Sequence, residues 1–201
     1  MIKIHPPFIA PLASIMTLVL GAGFYTTLTT LDLTERDVDK WIIGCISSSY
    51  FSGLLISAFR SQHFILRVGH IRAFAAFATL MCVTSLFQGL FFSPTLWVVL
   101  RFLSGYALAG LAVVVESWLM DASDKKDRGA ILAVYMFGYY LAQSISQIFL
   151  TLEYKQEIEQ YILIAIFAAL SILPVCMTRF PAPMPAYPNI LSFQYLFKRA
   201  P

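Results

Sequence analysis

The chain has 201 residues, of which 59% are hydrophobic and only 12% are charged. Soluble domains average about 25% charged residues, so this composition excludes an ordinary water-soluble globule and indicates a membrane protein. The 14 Lys and Arg against 11 Asp and Glu leave a net charge of +3, which does not indicate the basic face of a nucleic-acid-binding protein. At about 20 residues per membrane-spanning helix, the length allows roughly six to eight spans.

Stretches without charge predict six membrane-spanning helices. The predicted spans cover residues 7–31, 41–59, 73–92, 95–120, 130–152 and 161–178, the fourth of which contains two charges. Charged loops are expected between the spans, including 32–40 and an acid-free segment at 61–72. Residues 1–180 therefore form one six-helix bundle in an all-α membrane protein that the lipid bilayer surrounds. Residues 181–201 begin with a proline-rich run and are predicted to form a cytoplasmic linker or tail.

The basic residues predict the orientation of the bundle. With the N-terminus in the cytoplasm, ten basic residues lie on the cytoplasmic side and three on the outer side. This asymmetry follows the positive-inside rule, and an even number of spans returns the C-terminus to the cytoplasm. The cytoplasmic set is Lys3, Arg60, Arg67, Arg72, Lys125, Lys126, Arg128, Arg179, Lys198 and Arg199, and the outer set is Arg36, Lys40 and Lys155. The opposite orientation would carry the acid-free segment across the membrane.

Two ionisable residues fall inside the fourth predicted span. Arg101 lies about 9 Å along this helix, and a guanidinium at that depth is costly unless it faces protein or water. It either lines a path for solute or protons, or it extends to the outer headgroups or binds backbone carbonyls. Glu116 lies about one turn from the inner end of the same helix. Its role is either that of a proton carrier or that of a latch with a cytoplasmic arginine, namely Arg67, Arg72 or Arg128.

Polar stripes follow two of the predicted helices, and the members of each stripe fall within a narrow arc at 100° per residue. The first span carries Ser14, Thr17, Gly21 and Tyr25, and the fifth carries Tyr139, Gln143, Ser146 and Gln147. Either stripe lines a polar cavity, or its side chains satisfy one another between packed helices. Together with Arg101, two stripes in one bundle favour a wetted central cavity.

Small residues recur every four positions in the second span, a spacing that indicates close helix contacts. One series is Gly44, Ser48 and Ser52, and the other is Ser49, Gly53 and Ser57. Two faces of this helix are therefore predicted to allow close backbone approach.

The sequence does not bring together the residues of a metal site or a membrane-embedded enzyme. Cys45, Cys82 and Cys176 stand far apart, and the three histidines, His5, His63 and His70, lie outside the predicted spans. An intramembrane serine protease therefore has no base, and neither a His-Glu-x-x-His motif nor a phosphate-binding Gly-rich loop occurs. No cofactor or metal is expected. The remaining roles are passage of a solute and a purely architectural role in the membrane.

The fourth span contains a family motif. Arg101, Phe102, Leu103, Ser104 and Gly105 are followed by Ala107 and Gly110. This pattern resembles the Arg-x-x-x-Gly motif of helix four in the major facilitator superfamily, a family of twelve-helix secondary transporters.

Two predicted loops extend the resemblance. Arg67–Arg72 is similar to the basic Gly loop between helices two and three of the family, and Asp127–Gly129 is similar to its Arg-Gly turn. With the runs Val114–Leu119 and Val134–Met136, the chain most resembles the YcaD-like bacterial members. The resemblance covers nearly the whole chain, from the first span into the proline-rich segment.

The chain also departs from the family pattern. Leu66 stands where the family loop usually has an Asp, so Glu116 is expected to supply the acid of the latch. Residues 138–142 lack the Gly-Pro signature of the family's antiporters, so drug efflux by antiport is not supported. A family member needs two six-helix halves, and this chain has the length of one.

The resemblance implies a mechanism of alternating access. Two three-helix repeats form each half, and two halves rock about a site at the midplane. The chain is therefore predicted to be the N-terminal half of an ion-gradient-driven carrier for a small solute in a bacterial inner membrane. It needs a second half, either the missing C-terminal half or another copy, and a truncated product that is inactive alone is favoured. The alternative is a six-helix scaffold or assembly subunit that transports nothing.

The candidate site residues form three sets. The proposed path for substrate or protons comprises Arg101, Ser14, Thr17, Gly21, Tyr25, Tyr139, Gln143 and Gln147. The proposed inner gate comprises Arg67, Gly69, Arg72, Glu116 and Arg128. The proposed packing residues are Gly44, Ser48, Gly53, Gly105 and Gly110.

Overall fold

A computed structural model describes the backbone of residues 6–178 and the side chains of residues 8–178. Within this part of the chain all regular structure is helical. The helices are α1 (Pro6–Glu35), α2 (Lys40–Val68), α3 (His70–Leu90), α4 (Pro94–Asp121), α5 (Arg128–Ile145), a 3₁₀ segment (Ser146–Thr151), α6 (Glu157–Leu170) and α7 (Ile172–Cys176). The tail predicted at residues 181–201 lies outside the described residues, as do Lys3, Arg179, Lys198 and Arg199.

Five helical segments are long and apolar enough to cross a membrane: α1, α2, α3, α4 and the stretch Glu157–Cys176 that joins α6 and α7. α5 has 18 residues and runs directly into the 3₁₀ segment, and the two together match the fifth predicted span. The break between α6 and α7 falls at Ser171. Pro174 explains this break, because its ring crowds the carbonyl of Leu170 and it has no N–H to donate.

Two segments that were predicted as loops are largely helical. The prediction of a loop at residues 61–72 is wrong, since α2 continues to Val68 and α3 begins at His70. Gly69 alone separates the two helices, and its φ of +84° is accessible to glycine without strain. The charged loop predicted from Asp32 is also shorter, because α1 continues to Glu35. Both errors arise because charge ends a membrane span without ending a helix.

Glycines set the closest helix contacts. α2 packs mainly on α4, where the position of a Cβ at Gly53 meets the backbone of Phe102 and that at Gly105 meets the carbonyl of Tyr50. α3 packs between α4 and α6, and a Cβ at Gly110 would lie 2.7 Å from the ring of Phe77. Only residues without a side chain allow backbones to approach this closely.

The face of α2 that carries Gly44, Ser48 and Ser52 has no helix packed against it within residues 8–178. A Cβ at Gly44 would meet nothing within 4 Å, and Ser48 is exposed. The packing predicted for these two residues is therefore not found within the described chain. The same helix exposes Trp41, Phe51, Leu55 and Phe59, which are apolar side chains suited to lipid or to another membrane helix.

Candidate functional site

Arg101 lies inside the bundle, and its side chain does not extend to the surface. Its side chain comes from α4, and only 3% of the residue is exposed. The guanidinium carbon lies 4.9 Å from the ring centre of Tyr25 on α1 and 4.3 Å from that of Tyr50 on α2. Its Nε and Nη1 atoms are buried and have no hydrogen-bond partner among the described residues. The guanidinium therefore contacts the faces of two aromatic rings. The hydrogen-bond donors on its Nε and Nη1 atoms are unused among the described residues.

A hydrogen-bonded cluster joins the Arg101 site to α3. The Tyr25 hydroxyl donates to Oε1 of Gln88 at 2.6 Å, and Nε2 of Gln88 donates to the Thr29 hydroxyl at 3.1 Å. Both Tyr25 and Gln88 are 1% exposed. This cluster fixes the tyrosine ring beneath the guanidinium, because its hydroxyl is satisfied in one orientation.

A second cluster lies at the end of the bundle where α1 ends and α6 begins. Asp32 is 8% exposed and accepts a hydrogen bond of 2.5 Å from the hydroxyl of Tyr161 on α6. Its other oxygen lies 2.5 Å from Nε of Arg36, which also pairs with Glu157. The guanidinium of Arg36 lies 4.5 Å from the ring centre of Phe92. The cluster therefore ties α1 to α6 and to the segment that precedes α4.

Replacing Tyr161 with phenylalanine is expected to lower the free energy of unfolding by about 1–2 kcal/mol, because the buried Asp32 carboxylate loses a donor. Unfolding in mixed micelles by SDS, followed by far-UV circular dichroism, measures this change. Tyr140→Phe is the matched control, since Tyr140 is 64% exposed on α5. Equal stability of the two variants would contradict the role of the Tyr161 hydroxyl.

The stripe predicted on the first span divides into residues with different roles. Tyr25 contacts Arg101, and Ser14 is fully buried with no hydrogen-bond partner for its hydroxyl among the described residues. Thr17 bonds the carbonyl of Ala13 in its own helix. Gly21 packs against α6, where a Cβ would lie 3.2 Å from the carbonyl oxygen of Ile164.

The stripe predicted on the fifth span faces α1. Gln147 accepts a hydrogen bond of 2.9 Å from Thr27 and donates one of 3.0 Å to Ser146. A Cβ at Gly23 would crowd Ser146 and lie 2.9 Å from the amide of Gln143. These contacts match the second of the two interpretations of the stripe, in which polar side chains satisfy one another between packed helices. Tyr139, the first member of the stripe, is half-buried and lies against the rings of its neighbours Tyr135 and Tyr140.

The predicted inner-gate residues share one end of the bundle without forming the predicted latch. Arg67, Arg72 and Arg128 are exposed at the α2–α3 junction and at the start of α5. Glu116 is half-buried and lies near the hydroxyl of Tyr135. Among the described residues, no ion pair joins Glu116 to any of these arginines.

His70 lies at the same end of the bundle as these arginines, although it falls outside the predicted spans. It begins α3 and is 1% exposed, and its Nε2 lies 2.8 Å from the hydroxyl of Ser117 on α4. The carboxylate of Asp121 lies 3.9 Å from the same nitrogen, and the ring of Trp118 packs alongside. The adjacent Gly69 is the sequence feature that indicates this position. Because it separates the two helices by a single residue, His70 lies at the start of α3 and contacts α4.

The bundle of apolar helices contains buried polar clusters at both ends and in the middle. This arrangement defines an integral membrane protein with an ionisable group in its interior. A sequence model described as the Major Facilitator Superfamily matches residues 13–196. The chain belongs to this superfamily.

Bacterial relatives and a solved structure agree with this assignment. The MFS-type transporter YcaD of Escherichia fergusonii is 29% identical over 173 residues, covering 86% of this chain and 45% of the relative. YcaD of Escherichia coli is 31% identical over 142 residues, covering 71% of this chain and 37% of the relative. The proton:xylose symporter XylE matches 86% of this chain and 44% of its own length, with a TM-score of 0.67 and 12% identity. This likeness shows the fold, and the chain spans less than half the length of these proteins.

Proposed function

We propose that the chain is the N-terminal six-helix half of a secondary carrier that moves a small solute by alternating access. Arg101 is the observation that carries this proposal. A buried guanidinium with free N–H groups is costly inside a membrane, and such groups mark substrate or ion paths. In this proposal Arg101 and Tyr25 contribute to the path, and a second six-helix half supplies its other wall.

The inner end of the bundle supports an orientation with both termini in the cytoplasm of a bacterial inner membrane. The α2–α3 junction and the α4–α5 junction lie at the same end, because successive helices cross in opposite directions. This end carries the exposed Arg67, Arg72 and Arg128. Basic residues concentrate on the cytoplasmic side of membrane proteins. In this proposal Gly69, Glu116 and these three arginines form an inner gate that rearranges during transport.

Counterflow in proteoliposomes tests the proposal. Three vesicle preparations would contain the chain alone, the chain with the C-terminal half of Escherichia coli YcaD, or that C-terminal half alone. Each is loaded with an unlabelled solute and then exposed to the radiolabelled form, using a panel of monocarboxylates, sugars and amino acids. We expect counterflow of at least one solute with the paired halves.

The alternative of a non-transporting scaffold gives a different outcome. It predicts no flux in any preparation, together with a stable partner that is not a transporter on co-purification. That outcome would overturn the proposed carrier. Flux with the chain alone would support pairing between two copies.

A further inference from the structure

We propose that the solute is an anion and that Arg101 binds its carboxylate or phosphate oxygens. This inference rests on the proposed carrier function and adds the chemical class of the solute. It starts from the three facts that Arg101 is 3% exposed, that its Nε and Nη1 atoms have no partner among the described residues, and that aromatic rings contact its guanidinium.

No acid in the described part of the chain neutralises Arg101. Asp32 is bonded to Tyr161 and Arg36 at the outer end. Glu116 lies near Tyr135 and is 15 residues further along α4, which corresponds to about 22 Å. Within residues 8–178, no carboxylate lies within 4 Å of the Arg101 guanidinium. The charge therefore remains uncompensated within this half.

The unmet hydrogen bonds of Arg101 select the chemistry of the ligand. A guanidinium has five N–H donors and no acceptor, so it pairs best with an acceptor that carries negative charge. Carboxylate and phosphate oxygens match it, and such charge-assisted bonds are stronger than bonds between neutral groups. The rings of Tyr25 and Tyr50 offset part of the charge through their faces but provide no in-plane acceptor for Nε and Nη1. A neutral polyol would accept hydrogen bonds from the Arg101 guanidinium but would leave its positive charge uncompensated.

Binding to the purified chain in lipid nanodiscs tests the inference without requiring transport. Radiolabelled benzoate and benzamide serve as probes at pH 7, because they share shape and apolar surface and differ in charge. We expect benzoate to bind at least about tenfold more tightly than benzamide, the effect of about 1.4 kcal/mol of charge-assisted bonding. Competition by acetate or by inorganic phosphate then distinguishes carboxylate from phosphate ligands.

Variants assign this binding to Arg101. Arg101→Gln is expected to abolish the preference for benzoate, whereas Arg101→Lys is expected to keep it with lower affinity because the charge remains. Arg60→Gln is the matched control, since it removes an exposed charge from α2 and should bind benzoate like the natural chain. Far-UV circular dichroism verifies the fold of each variant. If Arg101→Gln does not fold, the two probes on the natural chain and on Arg101→Lys still decide the question.

Three results would overturn the anion site. These are equal binding of benzoate and benzamide, absence of benzoate binding to the folded chain, and benzoate binding that Arg101→Gln leaves unchanged. Failure of the inference and failure of the carrier proposal are distinguishable. Flux of a neutral solute without benzoate binding overturns only the anion site, and benzoate binding without flux in any preparation overturns only the carrier.

Discussion

Replacing Gly53 with valine is expected to separate α2 from α4 and to lower the free energy of unfolding by about 3 kcal/mol. A Cβ at this position would clash with the carbonyl oxygen of Phe102 and would lie 2.8 Å from the backbone nitrogen of Tyr106. Both atoms belong to the backbone of a hydrogen-bonded helix, so they do not move aside as a flexible side chain would. Unfolding by SDS in mixed micelles, followed by circular dichroism, measures the loss.

Gly44→Val provides the control for this prediction. Gly44 lies in the same helix, and a Cβ there meets nothing within 4 Å. Its replacement should leave the unfolding transition close to that of the natural chain, because valine and glycine differ by only a few tenths of a kcal/mol in helix propensity. If both variants unfold alike, the close contact between α2 and α4 is wrong.

Arg101→Ala is expected to abolish transport by the reconstituted pair of halves while preserving insertion into the membrane. Removing the charge makes α4 more apolar, which favours insertion by about 2.5 kcal/mol or more. The variant also lacks the only buried guanidinium in the described part of the chain, which is the group proposed to contribute to the solute path. A decrease of at least about a hundredfold in counterflow corresponds to about 2.8 kcal/mol. Resistance to alkaline extraction measures insertion separately.

Two variants make the Arg101 result specific. Arg60→Ala removes an exposed arginine of α2 and should transport at the natural rate. Arg101→Lys should transport at a reduced rate, since a lysine keeps the charge and loses the planar group that lies over the two tyrosine rings. Transport by Arg101→Ala at the natural rate would contradict the assignment of Arg101 to the solute path.

Sequence patterns predict the helical class that the structure has. The family resemblance, which rests on Arg101, Gly105 and the loop motifs, is confirmed by the match over residues 13–196. Gly53, Gly105 and Gly110 make close contacts because a missing side chain is a local property that spacing reveals. Gly44 has the same four-residue spacing, but it lies on a face of α2 that no other described helix covers. Spacing alone does not predict which face of a helix a neighbour covers.

The cluster around Asp32 and Tyr161 is not predictable from spacing alone. Asp32 was assigned to a loop because a carboxylate ends an apolar run, but its partner Tyr161 lies 129 positions away in sequence. The sequence does not predict the role of Gln88, because a lone amide in an apolar helix gives no indication of its partner. Asp32 does follow Tyr25 by seven positions, two helical turns, and this period was the available signal of a shared face.

The short connection at Gly69 has a mechanical consequence. α2 continues nine residues beyond Phe59, about 13 Å at the rise of an α-helix, and only Gly69 separates its end from the start of α3. A slack loop would absorb a tilt of α2, but a single-residue joint transmits it to the start of α3 and to the contact between His70 and α4. A displacement of the part of α2 beyond Phe59 therefore moves the start of α3 and its contact with α4 together.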